Sequence, residues 1–177
     1  MIAAIDVAYN DNNATAACVV FERWPDAAPA FETTCEIANV APYEPGQFYR
    51  RELPCILAVL NILEQRPDII VIDGYVWLSD EQEPGLGGHL YAELEKRAAV
   101  IGVAKTRFSR AQAVAEICRG KSQTPLYITA AGLPLAEAAS CIQNMHGGFR
   151  IPTLIRRADQ LCRGTIHVQE TPRKIAK

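Results

Sequence analysis

Three carboxylates occupy positions where an acid needs a reason. Asp6 lies inside the apolar run IAAIDVAY. Asp73 closes the run DIIVID, just before Gly74. Glu52 follows Arg50 and Arg51 at the head of an amphipathic stretch. Burying a carboxylate in an apolar strand costs several kcal/mol unless the group is paired or holds a cation. In open α/β sheets the carboxyl ends of strands line the ligand crevice. Three acids on separate elements could converge on one divalent ion, and hard oxygen ligands suit magnesium or manganese. Such an ion activates water and neutralises a phosphoryl group during in-line displacement. Each acid also has a plain structural reading. Asp6 could start the turn toward Asn10, Asp73 could cap the next segment, and Glu52 could be a solvated helix acid.

The elements that must position these groups follow from hydrophobic patterning. Residues 2–9 and 14–22 read as strands joined through Asp11, Asn12 and Asn13, a hairpin signal, and residues 31–38 read as a third strand. The loop APYEPG precedes a helical pattern from Gln47 to Glu64, with Pro54 bending its first turn or delaying its start to about Leu53. The apolar runs at 68–73 and 100–104 suit strands buried on both faces. Residues 89–97 and 109–118 are expected to be helical, residues 125–130 a strand, and residues 135–145 a helix capped by Gly147 and Gly148. Pro152 opens a last amphipathic helix through Leu161. This order predicts an α/β fold with a mixed sheet, an antiparallel three-strand meander followed by parallel strands, and helices on both faces.

The 177 residues, 49% apolar and 21% charged, suit one globular domain and exclude a disordered, collagen-like or coiled-coil chain. No run is long and apolar enough for a membrane span. The start MIAAIDVAYN reads as neither signal peptide nor anchor, because it lacks a basic region and carries Asp6 in its apolar run. Cys18, Cys35, Cys55, Cys118, Cys141 and Cys162 form no CxxC pair. Reduced thiols in the cytoplasm are therefore expected, and zinc is disfavoured. Net charge is −2, yet residues 1–95 carry 16 acidic and 4 basic side chains, and residues 96–177 carry 4 acidic and 14 basic ones. That asymmetry points to a polyanion-binding face beside an acidic one, or to interleaved charges that keep the protein soluble.

Taken together, the segments resemble endonuclease V, a branch of the ribonuclease H-like nucleases. AIDVAY resembles the segment with the first metal-binding aspartate, and PYEPGQFYRRE (Pro42 to Glu52) the proline–tyrosine wedge loop leading to an arginine–glutamate pair. PDIIVIDG resembles the strand delivering the second aspartate. GLGGHL is similar to a glycine-rich turn ending in histidine, VIGVAKT to the segment with an active-site lysine, and FRIPTLIRRAD to a C-terminal arginine–proline–arginine motif.

The resemblance implies a ribonuclease H-like domain over residues 1–163 and a polar basic tail over 164–177. It implies a magnesium-dependent endonuclease, manganese being an alternative, that cuts one phosphodiester 3′ of deoxyinosine or inosine and leaves a 5′-phosphate and a 3′-hydroxyl. Asp6, Glu52 and Asp73 would hold the metal, with Asp159 a candidate fourth acid where many members have histidine. Lys105 would stabilise charge on the phosphate. Tyr43, between Pro42 and Pro45, would wedge into the gap left by the flipped base. Gly46, Gly74, Gly85, Gly87 and Gly88 would line the base pocket, with His89 beside it. The partner would be inosine-containing DNA or RNA and not a membrane, and a monomer is compatible with the sequence.

Two segments depart from the family pattern. YVWLSDEQEP (Tyr75 to Pro84) is acidic and lacks the usual histidine–proline–arginine triplet, and AAGLPL lacks a glycine–histidine pair. Two alternatives follow: a nucleic-acid-binding relative with weak or no cleavage, or a related nuclease with another substrate preference.

Overall fold

The computed structural model describes residues 1–42, 44–111 and 113–169. Strands β1 (Ile2–Asn10), β2 (Asn13–Phe21) and β3 (Phe31–Ile37) form the antiparallel meander. The first hairpin is tighter than the sequence suggests. Asn10 pairs with Asn13, and Asp11 takes a φ of 53°, a conformation aspartate tolerates in turns. Helix α1 (Phe48–Leu60) contains Pro54 in its interior, so the proline neither ends nor delays it. Strand β4 (Ile69–Asp73) then lies parallel to β1, and β5 (Ala99–Ala104) parallel to β4.

Three expectations change. Helix α2 spans Leu86–Glu93 and begins within the glycine-rich segment rather than after it. The described residues of the stretch 109–118 form no helix and contain the short strand β6 (Ala115–Ile117). Strand β7 (Leu126–Ala131) runs antiparallel to β5, and β6 antiparallel to β7, so the parallel part of the sheet stops at β5. The seven strands are ordered β3-β2-β1-β4-β5-β7-β6. Helices α3 (Leu135–Gln143) and α4 (Thr153–Cys162) complete the fold.

Side-chain alternation sorts the sheet into two cores. Ala3, Ile5, Ile70, Ile72 and Val100 face one side with Cys55, Ile56 and Val59 of α1 and Leu90 of α2. Ile2, Ala4, Val71, Ile101 and Val103 face the other with Ala138 and Ile142 of α3 and Leu154, Ala158 and Leu161 of α4. The period of two along each strand makes this separation automatic. Among the described residues no helix is long and apolar enough to cross a membrane.

Residues 164–169 are tied to the domain. Ile166 packs on the second core, and the Gln169 amide donates to Glu32 Oε1 at 2.6 Å. That carboxylate is almost fully buried and also takes both arms of the Arg157 guanidinium, at 2.5 and 2.6 Å, which joins β3 to α4. The remainder of the expected tail, residues 170–177, lies outside the described residues.

Candidate active site

The register places two of the acids. Ile5 of β1 stands opposite Ile72 of β4, so Asp6 and Asp73 are the next residues along adjacent parallel strands and point to the same face. Asp73 in turn pairs with Val103 of β5, and Lys105 lies two residues farther along the chain, just past the end of that strand. Lys105 Nζ donates to Asp73 Oδ2 at 2.5 Å. Thus β1, β4 and the residue that follows β5 bring an aspartate, an aspartate and a lysine to one edge of the parallel strands. Helix α4 covers that face and brings Asp159, whose charge is felt at both Asp6 and Lys105.

Glu52 reaches this group from the opposite layer. Strand β4 ends at Asp73, whereas β1 continues beside β2 to Asn10, so beyond Asp73 the sheet has no β4 to separate its two faces. Glu52 sits in the first turns of α1 with only 5% exposure. Its Oε2 finds no hydrogen-bond partner among the described residues. Arg51 anchors the same turn: its guanidinium lies 3.9 Å from the Tyr9 ring centroid and donates to the Asp11 carbonyl.

The electrostatics follow from crowding acids out of water. Burial raises the Glu52 carboxyl to about 8, helped by the charges of Asp6 and Asp73. Burial raises Asp6 to about 6, with Asp73 and Asp159 adding to it and the Val7 amide and Lys105 opposing it. Burial pulls the Lys105 ammonium down, but the bond and charge of Asp73, then Asp6 and Asp159, hold it above its ordinary value. Like charges within one low-dielectric pocket favour a proton or a cation between them.

Among the described residues no three such side chains already stand in a metal-ligating arrangement. Lys105 holds one oxygen of Asp73. The donor set is nevertheless all oxygen, and the unpartnered Glu52 oxygen is buried among two further carboxylates. Those properties fit a hard divalent cation.

The other expected site residues are distributed unevenly. Pro42, Pro45 and Gly46 lie on an exposed loop, while Tyr43 lies outside the described residues. Gly74 has a φ of 121°, which a side chain would resist, and open space around it. Gly85, Gly87 and Gly88 are buried, and their amides donate to the carbonyls of Tyr75 and Val76. A Cβ on any of the three would come within 2.8 Å of that segment, so these glycines let α2 pack against the chain that follows Asp73. His89 stacks on Tyr49, ring centroids 3.6 Å apart, and burial lowers its pKa. Asp159 pairs with Arg163 at 2.7 Å.

Several supporting residues were invisible in the sequence. The Tyr75 hydroxyl donates to the Thr106 carbonyl and accepts from the Phe108 amide, both at 2.9 Å. Thr129 accepts from the Val76 amide at 2.8 Å. Arg150 donates to the Lys105 carbonyl at 2.5 Å and to that of Pro125 at 2.8 Å. Each joins segments far apart in the chain, which residue spacing does not record. The acidic departure segment is partly neutralised in place, with Glu83 bound to Arg110 at 2.9 Å.

Known proteins give the same outline. Endonuclease V from Streptomyces avermitilis superposes with a TM-score of 0.73 at 28% identity, covering 93% of this chain and 80% of that one. Ciona intestinalis endonuclease V, crystallised with a 24mer DNA containing an inosine followed by a ribo-adenosine, superposes at 0.75 with 19% identity, covering 93% and 84%. The catalytic domain of human endonuclease V gives 0.74 at 23% identity, covering 93% and 81%. The family profile for Endonuclease V matches residues 1–133, three-quarters of the chain with Asp6, Glu52, Asp73 and Lys105 inside it, and the chain therefore belongs to the endonuclease V family.

Proposed function

We propose that this protein is a metal-dependent endonuclease that hydrolyses the phosphodiester one position 3′ of deoxyinosine or inosine. The observation that carries the reading is the buried, unpartnered oxygen of Glu52, set where the charges of Asp6 and Asp73 reach it, beside the Lys105 ammonium that holds Asp73. A magnesium or manganese ion held by these three carboxylates, with Asp159 as a fourth, supplies activation of water and neutralisation of the phosphoryl oxygens. Lys105 presents a compact positive charge to the developing oxyanion while keeping Asp73 oriented. Val7 N donates to Asp6 Oδ1 at 2.9 Å and fixes that carboxylate's rotamer. The loop bearing Pro42, Tyr43 and Pro45 opens the strand at the lesion, and the backbone at Gly46 and Gly74 receives the displaced base. Flipping costs least for a mispaired base, which itself favours inosine. Exposed cations of the C-terminal half, Arg156 among them, track the phosphates. We place this activity in one domain over residues 1–163 acting in the cytoplasm, where its six free cysteines stay reduced.

The test is cleavage of strands with a single deoxyinosine or inosine, beside undamaged controls, in magnesium, manganese and chelator. A product one bond 3′ of the lesion, dependent on metal and abolished by Asp73→Asn, is the expected result. Undiminished cutting by Asp73→Asn refutes the site. Binding without product in every metal replaces the nuclease with a recognition module, and equal cutting of undamaged strands removes the inosine preference.

A further inference from the structure

Phe149 is 62% exposed, more than any other large apolar side chain among the described residues. A lone surface aromatic is ordinary. What sets Phe149 apart is how firmly its backbone is held. The guanidinium of Arg119, itself only 4% exposed, donates to the carbonyls of Gln143, Met145, Gly147 and Phe149. On the far side of the same loop the Thr153 amide donates to the His146 carbonyl at 2.9 Å. The next residue, Arg150, hydrogen-bonds the carbonyl of Lys105. The ring is therefore projected into solvent from a loop pinned to the turn that carries Lys105, just past β5.

Its surroundings are cationic. The Arg156 guanidinium lies 4.9 Å from the ring centroid. Arg156 and Asp159 share a face of α4 one turn apart, about 4.5 Å along the axis, and Asp159 acts on Asp6 and Lys105. Phe149 is thus tied through Arg150 to the segment that carries Lys105, with Arg156 beside its ring. A single ring is far too small for a protein-docking patch. It matches the area of one nucleobase, whose neighbouring phosphate would meet the exposed Arg156.

We propose that Phe149, backed by Arg156, is a stacking platform for one unpaired base of the bound strand, close to the phosphodiester that is cut. The proposal rests on the nuclease reading above and adds a residue that determines how the flanking strand is held. Stacking of this kind is tolerant of sequence, so the platform acts on any base at its position.

The experiment measures binding of single-stranded oligonucleotides that contain one deoxyinosine, in calcium, for the wild type, Phe149→Ala and Phe149→Trp. A companion series carries an abasic residue at each of three positions on either side of the inosine. Wild type is expected to lose affinity at one position. Phe149→Ala should bind the intact strand roughly 5- to 100-fold more weakly, be indifferent to the abasic residue at that same position, and keep its thermal midpoint. Phe149→Trp should restore both affinity and position dependence. If Phe149→Ala matches wild type, or weakens every oligonucleotide equally with the position dependence intact, the platform is overturned and the nuclease reading stands. If wild type neither binds nor cuts any inosine strand, both fall.

Discussion

Lys105 Nζ, just past the end of β5, lies 2.5 Å from Asp73 Oδ2 at the end of β4. One ammonium thus stands both as a partner for a carboxylate proposed as a metal ligand and as a competitor for the cation that carboxylate would hold. Removing it should weaken catalysis and tighten metal binding at once. Lys105→Ala is expected to lower kcat by about 100- to 1000-fold, the scale of losing one oxyanion-stabilising donor. The magnesium concentration for half-maximal activity should fall, because Asp73 loses its internal counter-charge. Titration of cutting rate against magnesium for both proteins checks this, and a rise in that concentration contradicts it.

Glu52 and Asp6 predict how metal-free stability depends on pH. Both carboxyls are raised in the fold, Glu52 from 4.5 to about 8 and Asp6 from 3.8 to about 6. The folded state therefore binds more protons than the unfolded state over this range. Stability contributed in this way is fully present below the unfolded pKa values and lost as pH climbs to 8. In chelator, urea midpoints should decline from about pH 5 to pH 8 by the equivalent of a few kcal/mol. Glu52→Gln should flatten the decline and be the more stable protein at pH 8. A wild-type midpoint that stays level or rises over this window would falsify the assignment.

The Glu32–Arg157 pair is a different electrostatic case. Burial pushes the Glu32 carboxyl up, but the Arg157 hydrogen bonds, the Gln169 amide and the Arg157 charge outweigh it and hold it below the usual range. Arg157→Ala strands a carboxylate whose side chain is 1% exposed and should cost about 3–5 kcal/mol in chemical denaturation. Glu32→Leu with Arg157→Leu should recover most of that loss. If the single and double variants are equally unstable, packing rather than charge accounts for the pair.

Gly102→Ala tests the contact behind Asp73. An added Cβ would lie 2.5 Å from the Gly74 carbonyl oxygen and 2.7 Å from Thr129 Oγ1. We expect a loss of about 1–3 kcal/mol from overpacking. Cutting should fall further than that loss explains, because the strained segment carries Asp73. Activity assayed well below the melting midpoint separates the two effects, and full activity there would show that the 73–76 segment shifts freely.

Much of this could be read from the chain. Asp6 and Asp73 stand out because an acid interrupts or closes an apolar run, and the three strands of the meander follow from alternation and turn residues. Glu52 is legible only as a residue type in a recognisable segment, since its burial depends on where β4 stops. The expected helix at 109–118 fails because edge pairing with β7 captures Ala115–Ile117, and local periodicity carries no record of a free strand edge. The start of α2 is missed because Gly87 and Gly88 look like turn residues, whereas their missing side chains admit the backbone of Val76. Arg119 looks like one more solvated cation. Its burial is set by the unpaired carbonyls at the end of α3, which exist only once the helix is in place.

The pairing of Ile5 with Ile72 has a consequence for misfolded molecules. A slip of β4 by a single residue would turn Asp73 toward α1 and send Ile72 into its place. No halfway arrangement exists, because a strand offers only two directions. Molecules that mispair would be inert rather than sluggish, and a preparation containing them would show fewer working copies, each running at full speed.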